Sequence, residues 1–549
     1  MVSRTLAIVA AFTMLTPLAQ AQSNLPAPVE QAQLSELDGW SVSALSRADG
    51  ALEPDLWARS DPAFVAAVFA RLPATYESPA MQSLARRVLF SGGAAPRGAT
   101  VEHARGRFEA LGKMGAADEL ATLAAGAGSA SADPAIAMFA AQAELARGRR
   151  AEACQRGRNA NAGETPPPFL LRLRAYCAAV TGDRAAADLA LELARAQNAA
   201  DAWYTGAVAS AAGAPGSRPP AANYDNSLSA QLSIAGQLRP GANALNGSST
   251  LALVALARNE TAPQPQRAQA AALAFRRGAI DAQEARTILT ATPAEITSAL
   301  PPLTTTLRRL QEANQLPADP SATPAAGSPV ELAKASAIAD VLRQASTPAD
   351  FSATARFFQQ DIVALQTAPD AAAALLFARA AISAGDIRNG QRLVASARQA
   401  GVDEAVLAPL DAALLALRGP RGEQATMALQ RRIDRGASQP RTAARDVAIL
   451  AALGAPVNGT VQNFLLANAP QGGARGDTGA LLALTAAAER GAAGEGALLA
   501  VVAAGEDGPA SLDVESLERI IRALRELRLE EDARRIAAEA ILAGPPAAR

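Results

Sequence analysis

Through residues 174–197, RAYCAAVTGDRAAADLALELARAQ, apolar side chains recur at helical spacing on both sides of Thr181-Gly182-Asp183. The pattern predicts two antiparallel helices reversing at Gly182. Small residues follow the glycine five and twelve positions later, at Ala187 and Ala194. They lie two helical turns apart, which lets the second helix approach its neighbours closely. The same skeleton recurs as Gly148, Ala153 and Ala160, as Gly385, Gly390 and Ala397, and as Gly491, Gly496 and Ala503. A fifth copy has Arg528 in the glycine position, then Ala533 and Ala540. Pro/Gly-rich stretches at 213–226, 258–266 and 314–329 read as breaks. The last is the longest, and we expect a Pro/Ala-rich linker there between helical arrays at 22–313 and 330–549. No run alternates in the manner of a strand. The expected class is all-α.

The step from Gly148 to Gly182 is 34 residues. Joined to proline-bounded hairpins, it resembles the second half of tetratricopeptide repeats. The aromatic consensus positions are mostly missing, and a looser α-solenoid is the alternative. Either way the resemblance implies hairpins that must stack to bury their apolar faces. LPATYESPAMQSLARRVLFSGGAAP (72–96), with EAC and AYCAAVTGD further on, resembles a group of exported bacterial helical-repeat proteins. That likeness supports the architecture and carries no chemistry.

Alanine dominates the composition and aromatics make up 4% of it, as suits helices rather than strands. Arg4, the apolar run from Leu6 to Leu15, Pro17 and Ala19-Gln20-Ala21 have the order of an export signal. Residues 1–21 are therefore expected to be a signal peptide, with the mature chain in a periplasmic or secreted location. No later stretch offers about 18 consecutive apolar residues, so no transmembrane segment is expected. Arginine outnumbers lysine 49 to 2, yet the net charge is −1 with no basic block. Nucleic acid, which would want a basic stripe, is not an expected partner.

Reactive side chains are few. Cys154 and Cys177 are the only cysteines. The repeat register puts them on packed helices of neighbouring hairpins, so in an oxidising compartment they are expected to bridge. Such a bridge contributes on the order of 3 kcal/mol in the chain-entropy model. Buried thiols and redox or metal chemistry are the alternatives. His103, the sole histidine, has no companions for a zinc site and no nucleophile elbow to serve. Lys113 and Lys334 fit no phosphate loop. Charges in LERIIRALREL (517–527) and EEDARR (530–535) read as a solvated face joined by i,i+4 pairs. No cofactor is expected.

In tetratricopeptide-like arrays the first helix of each hairpin lines the groove. The resemblance therefore implies a binding face at Phe169, Arg172 and Tyr176, where an arginine beside aromatics suits a peptide carboxylate. Simple packing of Phe169 and Tyr176 against the adjacent helix is the alternative. The expectation is an exported, non-enzymatic scaffold that binds a protein or peptide in the bacterial envelope. The alternatives are a cell-wall or glycan-processing enzyme with an unrecognised site, and a structural envelope or secretion component.

Overall fold

At several helix starts in this chain a proline follows the capping residue. In Asp61-Pro62, Ser78-Pro79, Asp133-Pro134, Ser328-Pro329 and Thr347-Pro348 the first residue accepts a backbone N–H of the first turn, and the proline opens the helix. The cap satisfies an orphan donor, and the ring fixes φ where no N–H is needed. The computed structural model describes residues 38–161, 163, 166–214, 218–293, 301–316, 328–470 and 472–544. The expected signal peptide and most of the expected 314–329 linker lie outside the described residues. Among the described residues there are twenty-seven α-helices and no strand, so the class is all-α. None of these helices is long and apolar enough to cross a membrane.

The five turn positions share one backbone conformation. Gly148, Gly182, Gly385 and Gly491 have φ of 74°, 81°, 77° and 68°, and Arg528 adopts 61°. A left-handed residue ends each first helix and starts the return. Glycine holds that conformation freely, whereas Arg528 carries a steric cost of about 1 kcal/mol. The small residues behind the turns are contact points. Ala153, Ala187, Ala194, Ala397, Ala533 and Ala540 are buried. A Cβ on Gly390 would lie 2.9 Å from Ile382 Cγ1, and one on Gly496 would collide with Leu527.

Contacts are not confined to neighbours in sequence. The helix Glu530–Ala543 packs on Glu404–Arg418, and Pro79–Phe90 packs on both Ala493–Ala504 and Glu530–Ala543. Polar bonds fasten this closure: Arg87 pairs with Asp532 at 2.5 Å and Arg71 with Asp477 at 2.6 Å. Glu77 N–H donates to the Glu506 carbonyl at 3.0 Å. One continuous apolar core runs from Trp40 to Ile541. A second, smaller core gathers residues between Ala141 and Leu238 around Tyr176 and Tyr204.

Arg107, on the helix Val101–Met114, is fully buried. Its Nε donates to the Leu89 carbonyl at 2.9 Å. Nη1 donates to Gly39 and Trp40, and Nη2 to Val42 and Ser91, at 2.8–3.1 Å. Five main-chain oxygens thus surround one guanidinium, with no carboxylate among its hydrogen-bond partners. Burial pulls its pKa down to about 10, so the group stays charged at neutral pH. The segment 39–42 is held to the end of Pro79–Phe90 through this side chain.

Candidate functional site

Cys154 lies on Arg150–Asn159 and Cys177 on Pro168–Val180, and the two form a disulfide with their Cα atoms 6.0 Å apart. The helices come close because Gly157 faces Leu173, where a Cβ would stand 2.7 Å from the leucine Cδ2. Replacing both cysteines with serine should destabilise the smaller core by about 3 kcal/mol. Hydrogen exchange would show this as faster opening across 150–196. Unchanged protection there would sink the staple reading.

Of the expected face at Phe169, Arg172 and Tyr176, Tyr176 is buried, whereas Phe169 and Arg172 are partly exposed. Tyr176 is 2% exposed, and its hydroxyl is pushed up to about 12 by burial. Phe169 is half-buried against the same cluster. Arg172 Nε donates to the Ala199 carbonyl, and its guanidinium reaches Asp201 at 3.4 Å and stacks 5.5 Å from the Tyr204 ring centre. The Tyr204 hydroxyl in turn donates to the Arg172 carbonyl. Ala199 follows the helix Arg184–Ala196, and Asp201 caps Ala202–Ala211. Arg172 therefore ties a helix junction together, and the aromatics pack behind it. The apolar stripe of this helix is the one that the smaller core buries. His103 is structural too. Its Nδ1 accepts the Thr100 N–H at 3.1 Å and lies 2.8 Å from the Thr100 hydroxyl, closing the cap of Val101–Met114.

An open cleft lies instead between Ile387–Gln399, Glu404–Arg418 and Gly422–Arg435, with a volume of 490 Å³. Its lining runs from Ala408 to Arg418 along one helix and from Gln424 to Arg435 along the other. At a rise of 1.5 Å per residue each edge is about 15 Å long. Five arginines line it: Arg398, Arg418, Arg431, Arg432 and Arg435. Three are neutralised. Glu404 and Asp411 clamp Arg398 and Arg435, with Arg435 at 3.0 Å and 3.1 Å from the two acids. The hydrogen bond from Arg398 holds the Glu404 carboxylate below its ordinary range. Arg432, 5% exposed, pairs with buried Asp446 at 2.7 Å.

Arg418 and Arg431 are left exposed, without an acidic partner among the described residues. Arg418 ends Glu404–Arg418, and Arg431 lies nine residues, about 14 Å at helical rise, into Gly422–Arg435. The cleft floor is apolar, from Val394, Leu414, Leu415 and Leu450, and Gln391 and Gln424 add amide groups. Such a surface can take two separated anionic groups with apolar matter between them.

A local signal for this cleft exists in the sequence. Between residues 418 and 445 there are seven arginines and two acids, Glu423 and Asp434. The near-zero net charge of the whole chain conceals that local density. Comparison with family models, with curated proteins and with solved structures finds no match for this chain.

Proposed function

We propose that this chain is an exported, non-enzymatic helical scaffold of diverged tetratricopeptide-like hairpins that binds an extended acidic segment of a partner protein in the bacterial envelope. The carrying observation is the pair Arg418 and Arg431, exposed and uncompensated in a cleft about 15 Å long. An extended peptide advances about 3.3 Å per residue, so acidic side chains four positions apart match that span. The apolar floor then receives the residues between them, and the two glutamines can meet main-chain groups. The disulfide agrees with an oxidising compartment.

The test is fluorescence anisotropy with a labelled acidic peptide carrying glutamates four residues apart and leucines between them. Replacing Arg418 and Arg431 together with glutamine should weaken binding about ten-fold or more. The melting temperature should hardly change, since both side chains are exposed. If the double variant binds as well as the wild type, the cleft is not the site. Equal competition by a single-stranded oligonucleotide would mean that only charge density is read, and would overturn the peptide reading.

A further inference from the structure

A second concavity lies at the closure of the chain, and the acidic-peptide reading does not use it. It is a pocket of 250 Å³ between the start of Pro79–Phe90, Pro348–Phe357, Ala371–Ser383 and Glu530–Ala543. Phe351, Ile382, Leu417 and Leu542 supply apolar wall. Arg356 and Arg379 line the same space. Arg379 lies 4.8 Å over the Phe351 ring, and its Nη2 touches the Leu542 carbonyl at 3.3 Å.

The unusual group is Arg356. Its Nε is buried and has no hydrogen-bond partner, and its guanidinium rests 5.6 Å from the Phe275 ring centre. A buried guanidinium donor left unpaired carries an uncompensated desolvation cost. Desolvation lowers the Arg356 pKa, the like charge of Arg86 adds to this, and Glu539 alone opposes them. Glu539 is itself engaged, because its Oε2 accepts the Ala80 N–H at 2.9 Å. The pocket therefore sets an apolar wall beside two arginines, one of which, Arg356, keeps a donor that the protein does not satisfy.

We propose that this pocket binds a small monocarboxylate with an apolar tail, the carboxylate accepting from Arg356 and Arg379 and the tail lying on Phe351, Ile382, Leu417 and Leu542. A bidentate or shared carboxylate contact is the geometry a guanidinium serves best. Since the walls come from both ends of the described chain, an occupant also fastens the closure.

Glu539 makes the binding depend on pH. Burial pushes its carboxyl up to about 7. Below that pH it is neutral and can donate to the incoming carboxylate. Above it, the two anions repel. Arg356 from Pro348–Phe357 is the charged group that acts on it, and Arg379 from Ala371–Ser383 and Arg535 from its own helix line the same pocket. Ser78 and the Ala80 N–H approach from the start of Pro79–Phe90, with Arg86 further along that helix. Glu404–Arg418 contributes Leu417, and Arg445 from Pro440–Ala452 bonds the Ala540 carbonyl at 2.6 Å.

Hexanoate and its neutral isostere hexanamide test the proposal, by calorimetry and thermal shift on the full chain. Hexanoate should bind about ten-fold or more tightly than hexanamide at pH 6 and raise the melting temperature. Its affinity should fall as pH rises from 6 to 8, and Glu539→Gln should flatten that dependence. Arg356→Met should erase the preference for the acid. Should that variant fail to fold, Arg379→Met carries the same test. Equal binding of acid and amide, or no titratable hexanoate binding by the folded protein, overturns the proposal. Neither result bears on the acidic-peptide cleft, whose arginines are different ones.

Discussion

Replacing Arg107 with methionine is expected to cost about 4 kcal/mol or more, a large share of a typical domain's stability. The side chain donates to five main-chain oxygens at once, from residues 39, 40, 42, 89 and 91. Methionine fills much of the same volume but donates nothing, so these carbonyls lose their shared donor in a place without exposed surface. Each buried polar group left unsatisfied costs roughly 1–3 kcal/mol, and the costs are only partly additive. Loss of the anchor should also release the aromatic trio behind it, since Trp40 packs against Trp57 and Phe69 at centroid distances of 5.5 Å and 6.0 Å. Arg107→Lys keeps the charge but not the forked donors, so it should recover only part of the loss. Urea unfolding followed by circular dichroism measures both variants. A methionine variant with wild-type stability would show that water replaces the guanidinium and that the cage is not a keystone.

Asp446→Ala should be nearly as damaging, at about 3–5 kcal/mol. Asp446 is 1% exposed and accepts from Arg432 at 2.8 Å. Arg445 is buried beside it with two nitrogens lacking hydrogen-bond partners. Removing the carboxylate strands two buried positive charges in a region of low dielectric. The expected cost is that of an orphaned charge, not the intrinsic strength of the pair. For that reason, replacing Arg432 and Asp446 together with leucine, which leaves only Arg445 without its countercharge, should be milder than Asp446→Ala alone, and chemical denaturation of both variants makes the comparison. If the double variant is the worse of the two, the pair itself is a net source of stability. Because Arg432 lines the peptide cleft, the single variant should also disturb that surface.

Helix boundaries have local causes. A capping side chain and the proline after it act within one turn, as at Asp133-Pro134 and Thr347-Pro348. Gly182 and Gly385 mark reversals because the left-handed conformation is cheap for glycine. Even Arg528 could be read as a turn, from its register with Ala533 and Ala540. The disulfide was legible because two cysteines allow one pairing and the hairpin register brought their helices together.

The cover over each apolar stripe was not legible, and Tyr176 shows why. An aromatic on an alanine-rich helix looks the same whether it lines a groove or a core, since periodicity identifies an apolar stripe and not its cover. By itself, then, the sequence determined the all-α class, the hairpin turns, the capped helix starts and the Cys154–Cys177 bridge. Tertiary structure alone decided that Glu530–Ala543 meets both Pro79–Phe90 and Glu404–Arg418, which arginines are cancelled, and which remain free. Small residues let a helix pack closely on many partners, so the choice among them is made by contacts hundreds of residues apart. An arginine's role follows from that choice. Arg107, Arg172, Arg356 and Arg418 are chemically identical, and only their surroundings make them anchor, tie, open donor and exposed charge.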